Sequence, residues 1–394
     1  MRPAVLAAGM IAFVATSCSP PSPSSQNQAP VIAIGSDLPT SGFGSVTVVP
    51  LRAAIALAIA DRGSIDGYRL VYEPFDDTLI GSWEPLKGEQ NVRIMTRQPE
   101  VLAFIGPYNS QVARREIPVA NQAGLVMISP SNTVDCLTAA NPCGPPRPNI
   151  NSYFRIAASD SAQGSAAAFF ATKKLGLKNF AVLTDGSDYG TLLADTFTTA
   201  LGRNGGAALF RQTFSNNARD YTALLRSARD AGAEAVFVGG FGFNGVCRVR
   251  AAMSGVFPAS SYMFAGDNIT DDVCPKDAGN EANDHLLAMV SDSEPPPNST
   301  VFKEFRAHGI QPATYAFGAY DCAQIVIDAI HRAIQVNGGK LPTRREVLDA
   351  VATTHDFVGT TGTFTFQPNG DAVNPAVSVY RFQNAAWTFW QSAA

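Results

Sequence analysis

Val101–Ser110 reads VLAFIGPYNS, and Leu125–Thr133 reads LVMISPSNT. Each is an apolar run that stops abruptly in a cluster of Gly, Pro, Ser, Thr and Asn. A buried parallel strand reads as a short apolar run closed by turn residues. Open α/β sheets bind their ligands just beyond the carboxyl ends of such strands. Here those ends carry Ser110, Ser131, Asn132 and Thr133, with no Cys, His or pair of acids. Such a set fits a site that holds a small polar molecule rather than one that transforms it.

The same alternation continues on both sides. Strand-like runs are Val31–Gly35, Arg69–Phe75, Val101–Ile105, Leu125–Ser129, Phe180–Leu183, Ala235–Val238, Tyr262–Ala265 and Leu286–Val290. Helical patterns lie between them, at Leu51–Arg62, Lys87–Arg97, Ser110–Gln122, Ser161–Leu175, Thr191–Arg203, Tyr221–Ala231 and Val246–Met253. Pro118 predicts a kink or a late start for the third of these. A long helix is expected over Tyr315–Gln335. Strands alternating with helices predict parallel sheets flanked by helices, an α/β fold. The pattern occurs twice, to about Asn149 and again from about Ala157 to Asn283, so two lobes are expected. The chain ends differently: Gly362–Phe366, Val377–Phe382 and Trp387–Trp390 are short alternating runs parted by QPNGD and QNAA, which is hairpin material.

Met1-Arg2-Pro3, the apolar stretch Ala4–Ala15 and Thr16-Ser17-Cys18 read as a secretory signal. The apolar stretch is shorter than the roughly 20 residues that span a bilayer. Ala15-Thr16-Ser17 before Cys18 resembles a bacterial lipobox, which makes Cys18 the expected lipidated first residue of the mature chain. Residues 18–30 then form a Pro/Ser/Gln tether without charge. The expected location is the periplasmic or cell-surface side, held to the membrane by lipid alone. Hydrophobic residues make up 46% and charged residues 16%, and the formal net charge is −4. That balance builds a core and offers no basic field to nucleic acid.

Export places the other five Cys in an oxidising compartment. Cys136 and Cys143 flank LTAANP and can bridge. Cys247 and Cys274 follow two successive strand ends and can also pair. Cys322, inside YDCAQIVIDAI, reads as a buried small hydrophobe. Five Cys do not fix the connectivity.

Two enzyme readings compete. Gly240–Gly245 matches G-x-G-x-x-G after a strand and before a helix, with Asp267 downstream, which is most of a dinucleotide fingerprint. It falls mid-chain, after a complete α/β set, and an exported protein has no routine supply of NAD. No G-x-S-x-G elbow is present. His285, His308, His331 and His355 lack metal-ligand spacing. Neither a cofactor nor a metal is therefore expected, and no catalytic residue.

The chain resembles the type I periplasmic substrate-binding proteins of the branched-chain amino-acid class, which serve ABC importers. The likeness is carried in order by IGSDLPTSG (34–42), IDGYRLVYEPFDD (65–77), IGPYNS (105–110), MISPSNT (127–133), YFRIAASDSAQG (153–164), DYG (188–190), FVGGF (237–241) and AYDCAQIVIDAI (319–330). It implies two lobes joined by three crossing strands, near Tyr153–Ile156, Leu286–Val290 and His355–Gly359. Residues 31–156 and 287–357 then make lobe one, and residues 157–286 and 358–394 make lobe two, after a signal over 1–17.

Ser110 follows a strand and starts a helix, so it fits an N-cap whose helix end attracts a carboxylate. Ser131 and Thr133 add hydroxyl and backbone donors. Simple capping accounts for the same residues without a ligand. In the family, the equivalent places hold a ligand's α-carboxylate and α-ammonium. The resemblance adds Tyr189 as a lid, and Phe241 where the family usually has Tyr. Asp267 falls within one residue of the family's acid, which pairs with the ligand ammonium. Phe43 offers either an aromatic wall or packing for its own loop. The implied function is capture of an amino acid or a related carboxylate or amide by lobe closure, and delivery to an ABC permease by a monomer. A ligand sensor, or a lipoprotein regulating cell-wall enzymes, on the same fold is the alternative.

Overall fold

Strands built from the two opening runs sit side by side at the centre of one sheet. The computed structural model describes residues 29–42, 45–139, 151–271 and 273–393. Cys18, Phe43 and Cys143 lie outside the described residues. In the first sheet the order is Ser64–Ile65, Tyr68–Phe75, Val31–Asp37, Val101–Ile105, Val126–Ser129, Tyr153–Arg155. All pairs are parallel except the first, a short antiparallel hairpin. Val101–Ile105 and Val126–Ser129 are buried at every position, as strands covered on both faces must be.

The second sheet has the order Ala207–Thr213, Asn179–Thr184, Ala235–Gly239, Met263–Gly266, Leu286–Val290, Ser378–Gln383, Ala386–Ser392. Its first five strands are parallel, and the chain's last hairpin extends it antiparallel. Ala207–Thr213 is an edge strand that the sequence reading did not expect. Most of its residues are exposed, so it lacks the continuous apolar run that marks the inner strands.

Each sheet packs aliphatic residues on one face, such as Ile34, Leu102, Ile105 and Ile128 in the first and Leu183, Val236 and Val238 in the second. The other face of the second sheet packs aromatic ones: Phe197 stacks on Phe237 at 4.0 Å between ring centroids and meets Phe180 edge-on at 5.1 Å. Such pairs add about 0.5–1.5 kcal/mol each beyond area burial. Cys247 and Cys274 form a disulfide in the second lobe. Cys136 is also disulfide-bonded, while Cys322 is a buried free thiol.

The chain passes between the lobes three times. After Tyr153–Arg155 it enters the helix Asp160–Phe169 of the second lobe. After Leu286–Val290 it returns to helices Ala316–Val336 and Arg344–Ala352, which pack on the first lobe. There the Arg344 guanidinium donates to the carbonyls of Met95, Thr96, Gln98 and Val101, closing the end of a first-lobe helix. The last passage follows the small hairpin of Phe357–Val358 and Thr363–Phe364. On the way Arg155, fully buried, pairs with Asp371 at 2.6 Å.

Helix ends depart from expectation in two places. The first helix begins at Ser45, although Pro50 lies inside it. The helix Ser110–Ala123 starts at Ser110 rather than late and carries Pro118 within it. No described helix is long and apolar enough to cross a membrane.

Candidate functional site

Two adjoining cavities of about 40 and 80 Å³ open where the carboxyl ends of both sheets face each other. Each is lined from both lobes. At roughly 10–15 Å³ per water, they have room for several waters or a small organic molecule.

Lobe one supplies Ser110, Ser131 and Thr133 to the first cavity. Ser110 is not the N-cap. Asn109 takes that position, without a side-chain bond, and Ser110 is the first helical residue. The carboxylate argument survives this shift, because the first amides of a helix have no intrahelical partner and lie at its positive end. The Ser131 hydroxyl donates to the Tyr108 carbonyl at 3.0 Å. Thr133 accepts at its carbonyl from the Asp160 amide at 2.8 Å, a bond between the lobes.

Asn132 does not line either cavity. It is buried, and its amide donates to the carbonyls of Pro107 and Tyr108 at 3.1 and 3.0 Å, while its oxygen accepts from Tyr153. Ser129 reaches the Pro107 carbonyl at 2.9 Å as well. These bonds stitch the two strand ends into one rigid seat. Gly106 completes it: at φ 126° its missing Cβ leaves room for the Asp37 carbonyl.

Lobe two supplies Tyr189, Phe241 and Asp267. Tyr189 lies against Phe241 at 4.9 Å between centroids, and Phe241 stacks on Phe243 at 5.0 Å. Asp267 accepts from the Tyr189 hydroxyl at 2.9 Å and from Asn268 at 3.0 Å. Its other oxygen accepts from the Tyr315 hydroxyl and from Gln163. Burial raises the Asp267 carboxyl above its usual range, and the Tyr315 and Tyr189 hydroxyls pull it back. Behind Thr133 lies Asp160, fully buried. Burial pushes its carboxyl up to about 8, against the pull of a hydrogen bond from Thr133.

Tyr315, Tyr108, Asn268 and Gln163 went unnoticed in the sequence. Tyr315 reads there as an ordinary helix start. In the structure it is the N-cap residue at φ 69°, a left-handed conformation rare outside Gly. The second cavity adds Trp83 and Phe243, which no motif singles out.

The dinucleotide fingerprint has another purpose. Asp185 accepts from the Phe241 amide at 3.0 Å and the Asn244 side chain at 2.8 Å. Gly240, at φ 153°, is glycine because a Cβ there would strike the Asp185 carboxyl. A carboxylate thus fills the place where a pyrophosphate would need those donors.

The fold has two lobes, and at their facing edges hydroxyl-bearing residues of one meet aromatic residues of the other. The chain belongs to the periplasmic binding protein family, whose model matches residues 31–386. It is a family of binding proteins rather than enzymes. The Leu/Ile/Val-binding protein homolog 3 of Brucella melitensis is 22% identical over 88% of this chain and 89% of its own. Homolog 2 of Brucella abortus is 25% identical over 89% of each chain. Among solved structures, the leucine-binding protein LivK of Thermotoga maritima is 24% identical, with a TM-score of 0.74 over 92% of this chain and 98% of its own. A solute-binding protein of R. palustris in complex with benzoate is 20% identical, with a TM-score of 0.67 over 92% and 96%.

Proposed function

We propose that this protein is an extracytoplasmic solute-binding lipoprotein, anchored through Cys18, that captures a small ligand between its lobes and delivers it to an ABC permease. The ligand is an amino acid or a related carboxylate or amide. One observation carries the reading: Ser110 and Thr133 on lobe one and Tyr189 and Phe241 on lobe two line a single cavity. The ligand's polar end meets the lobe-one seat first. Lobe two then closes over it, and only contacts made in the closed form shift the population toward that form. The permease reads the closed pair of lobes.

A thermal-shift screen over amino acids, amides and small carboxylates tests this. A hit at 100 times its Kd stabilises by about 2.7 kcal/mol. X-ray scattering on the same sample is expected to show the radius of gyration shrink with ligand. A panel without a single hit, or a hit without closure, contradicts the proposal.

A further inference from the structure

The acid in this cleft is already engaged by protein donors on both oxygens. A carboxylate offers about four acceptor positions. On Asp267, Tyr189 and Asn268 take two on one oxygen, and Tyr315 and Gln163 take two on the other. Tyr189, Asn268 and Gln163 belong to lobe two. Tyr315 comes from the opposite side, at the start of the helix Ala316–Val336 that packs against the lobe-one helix Ser45–Arg62.

Tyr315 is also fixed in place. Its amide donates to Asp292 at 2.6 Å, and its ring meets Tyr108 edge-on at 6.2 Å. Its left-handed backbone persists only where the surroundings enforce it. A ligand ammonium could reach Asp267 only by displacing one of these donors, and displacing the Tyr315 hydroxyl would leave it buried without a partner. The remaining acid along the two cavities, Asp271, caps the amides of Val273 and Cys274 at 3.0 and 2.9 Å.

The rest of the lining suits another class of molecule. The hydroxyls of Ser110 and Thr133 and the helix-end amides at Ser110 serve an oxygen acceptor. Pro39, Val48, Trp83 and Phe243 in the adjoining cavity serve an apolar body. Among the described residues no Lys, Arg or His lines either cavity.

We infer that Tyr315 sets the specificity of the site, by occupying on Asp267 the position of a ligand ammonium, and that the solute is an apolar carboxylic acid or primary amide lacking an α-ammonium group. The inference rests on the solute-binding reading above and narrows it.

The test is calorimetry with matched skeletons: leucine, 4-methylpentanoate and 4-methylpentanamide, then phenylalanine, 3-phenylpropanoate and 3-phenylpropanamide. Wild type is expected to bind the acid or the amide of a set at least about tenfold more tightly than the amino acid. A tighter acid assigns the seat to an anion, a tighter amide to a neutral acceptor, and either supports the inference. Tyr315→Phe frees one position on Asp267 and is expected to narrow the ratio about tenfold in favour of the amino acid. Asn268→Ala frees a position on the other oxygen and moves the ratio the same way, which guards against a folding defect at Tyr315. If amino acids bind best to wild type, or if neither variant moves the ratio, solute binding stands and this inference falls. If no compound of either set binds, both fall.

Discussion

The two faces of the cleft are built on different principles. Lobe one presents strand ends whose side chains are spent on one another: Asn132, Ser129 and Ser131 all bind the Pro107–Tyr108 turn. What remains for a ligand is generic, a few hydroxyls and the amides of one helix end. Lobe two presents side chains of marked character, the Tyr189–Phe241–Phe243 stack and the saturated Asp267. On the proposed function the first face is a seat that can take many polar ends, and the second, together with Tyr315 reaching Asp267 from the lobe-one side, decides which molecule is kept.

Stability separates the lobes further. The Cys247–Cys274 bridge lies in lobe two and spans 27 residues, a loop for which chain entropy gives about 3–4 kcal/mol. Cys247→Ala with Cys274→Ala is expected to lower the unfolding temperature of lobe two and split calorimetric melting into two transitions. A single unshifted transition would remove the bridge from the account.

Lobe one, where Cys136 is also disulfide-bonded, carries a nest of buried acids as well. Asp37, Asp77 and Glu116 are fully buried; Asp37 and Glu116 share a hydrogen bond, and neither oxygen of Asp77 has a partner. Burial pushes Asp37 up to about 7 and Asp77 up to about 9, and burial beside Asp37 raises Glu116 as well. Raised carboxyls bind protons more tightly in the folded state. Their contribution is fully present below the unfolded value near 4, and it is lost as pH rises through the folded values. Melting followed from pH 5 to pH 9 is therefore expected to show lobe one losing stability. Asp77→Asn should raise stability at pH 9 by about 2 kcal/mol and change little at pH 5. A profile that is flat, or that climbs with pH, contradicts the assignment.

A smaller effect sharpens the contrast between seat and selector. Asn132→Ala strips the Pro107 and Tyr108 carbonyls of a shared donor, at about 1–2 kcal/mol. It should weaken every ligand of a panel by a similar factor, because it loosens the seat without touching the wall. A change in ligand ranking would move Asn132 from the seat to the selector.

Much of this was legible in the residues. Val101–Ile105 and Val126–Ser129 announce themselves because a strand buried on both faces must be apolar throughout. Ser110, Ser131 and Thr133 follow from where those runs stop. Ala207–Thr213 was not legible, since an edge strand answers to solvent along most of its length. Tyr315 escaped for a different reason. Its role depends on a left-handed backbone and on a hydroxyl meeting an acid 48 residues away in sequence, and neither leaves a local pattern. The fingerprint at 240–245, which its place in the chain already argued against, arises because a tight turn around Asp185 needs a glycine at 240 as a turn around phosphate does.

The central claim is that the lobe-one strand ends hold the ligand's polar end. Calorimetric titration of wild type and of Ser110→Ala/Thr133→Ala with the best compound from the screen tests it most directly. Two lost hydroxyl contacts at about 1 kcal/mol each predict a loss of affinity of at least about tenfold, at an unchanged melting temperature without ligand. Equal affinity in the double variant would contradict the account.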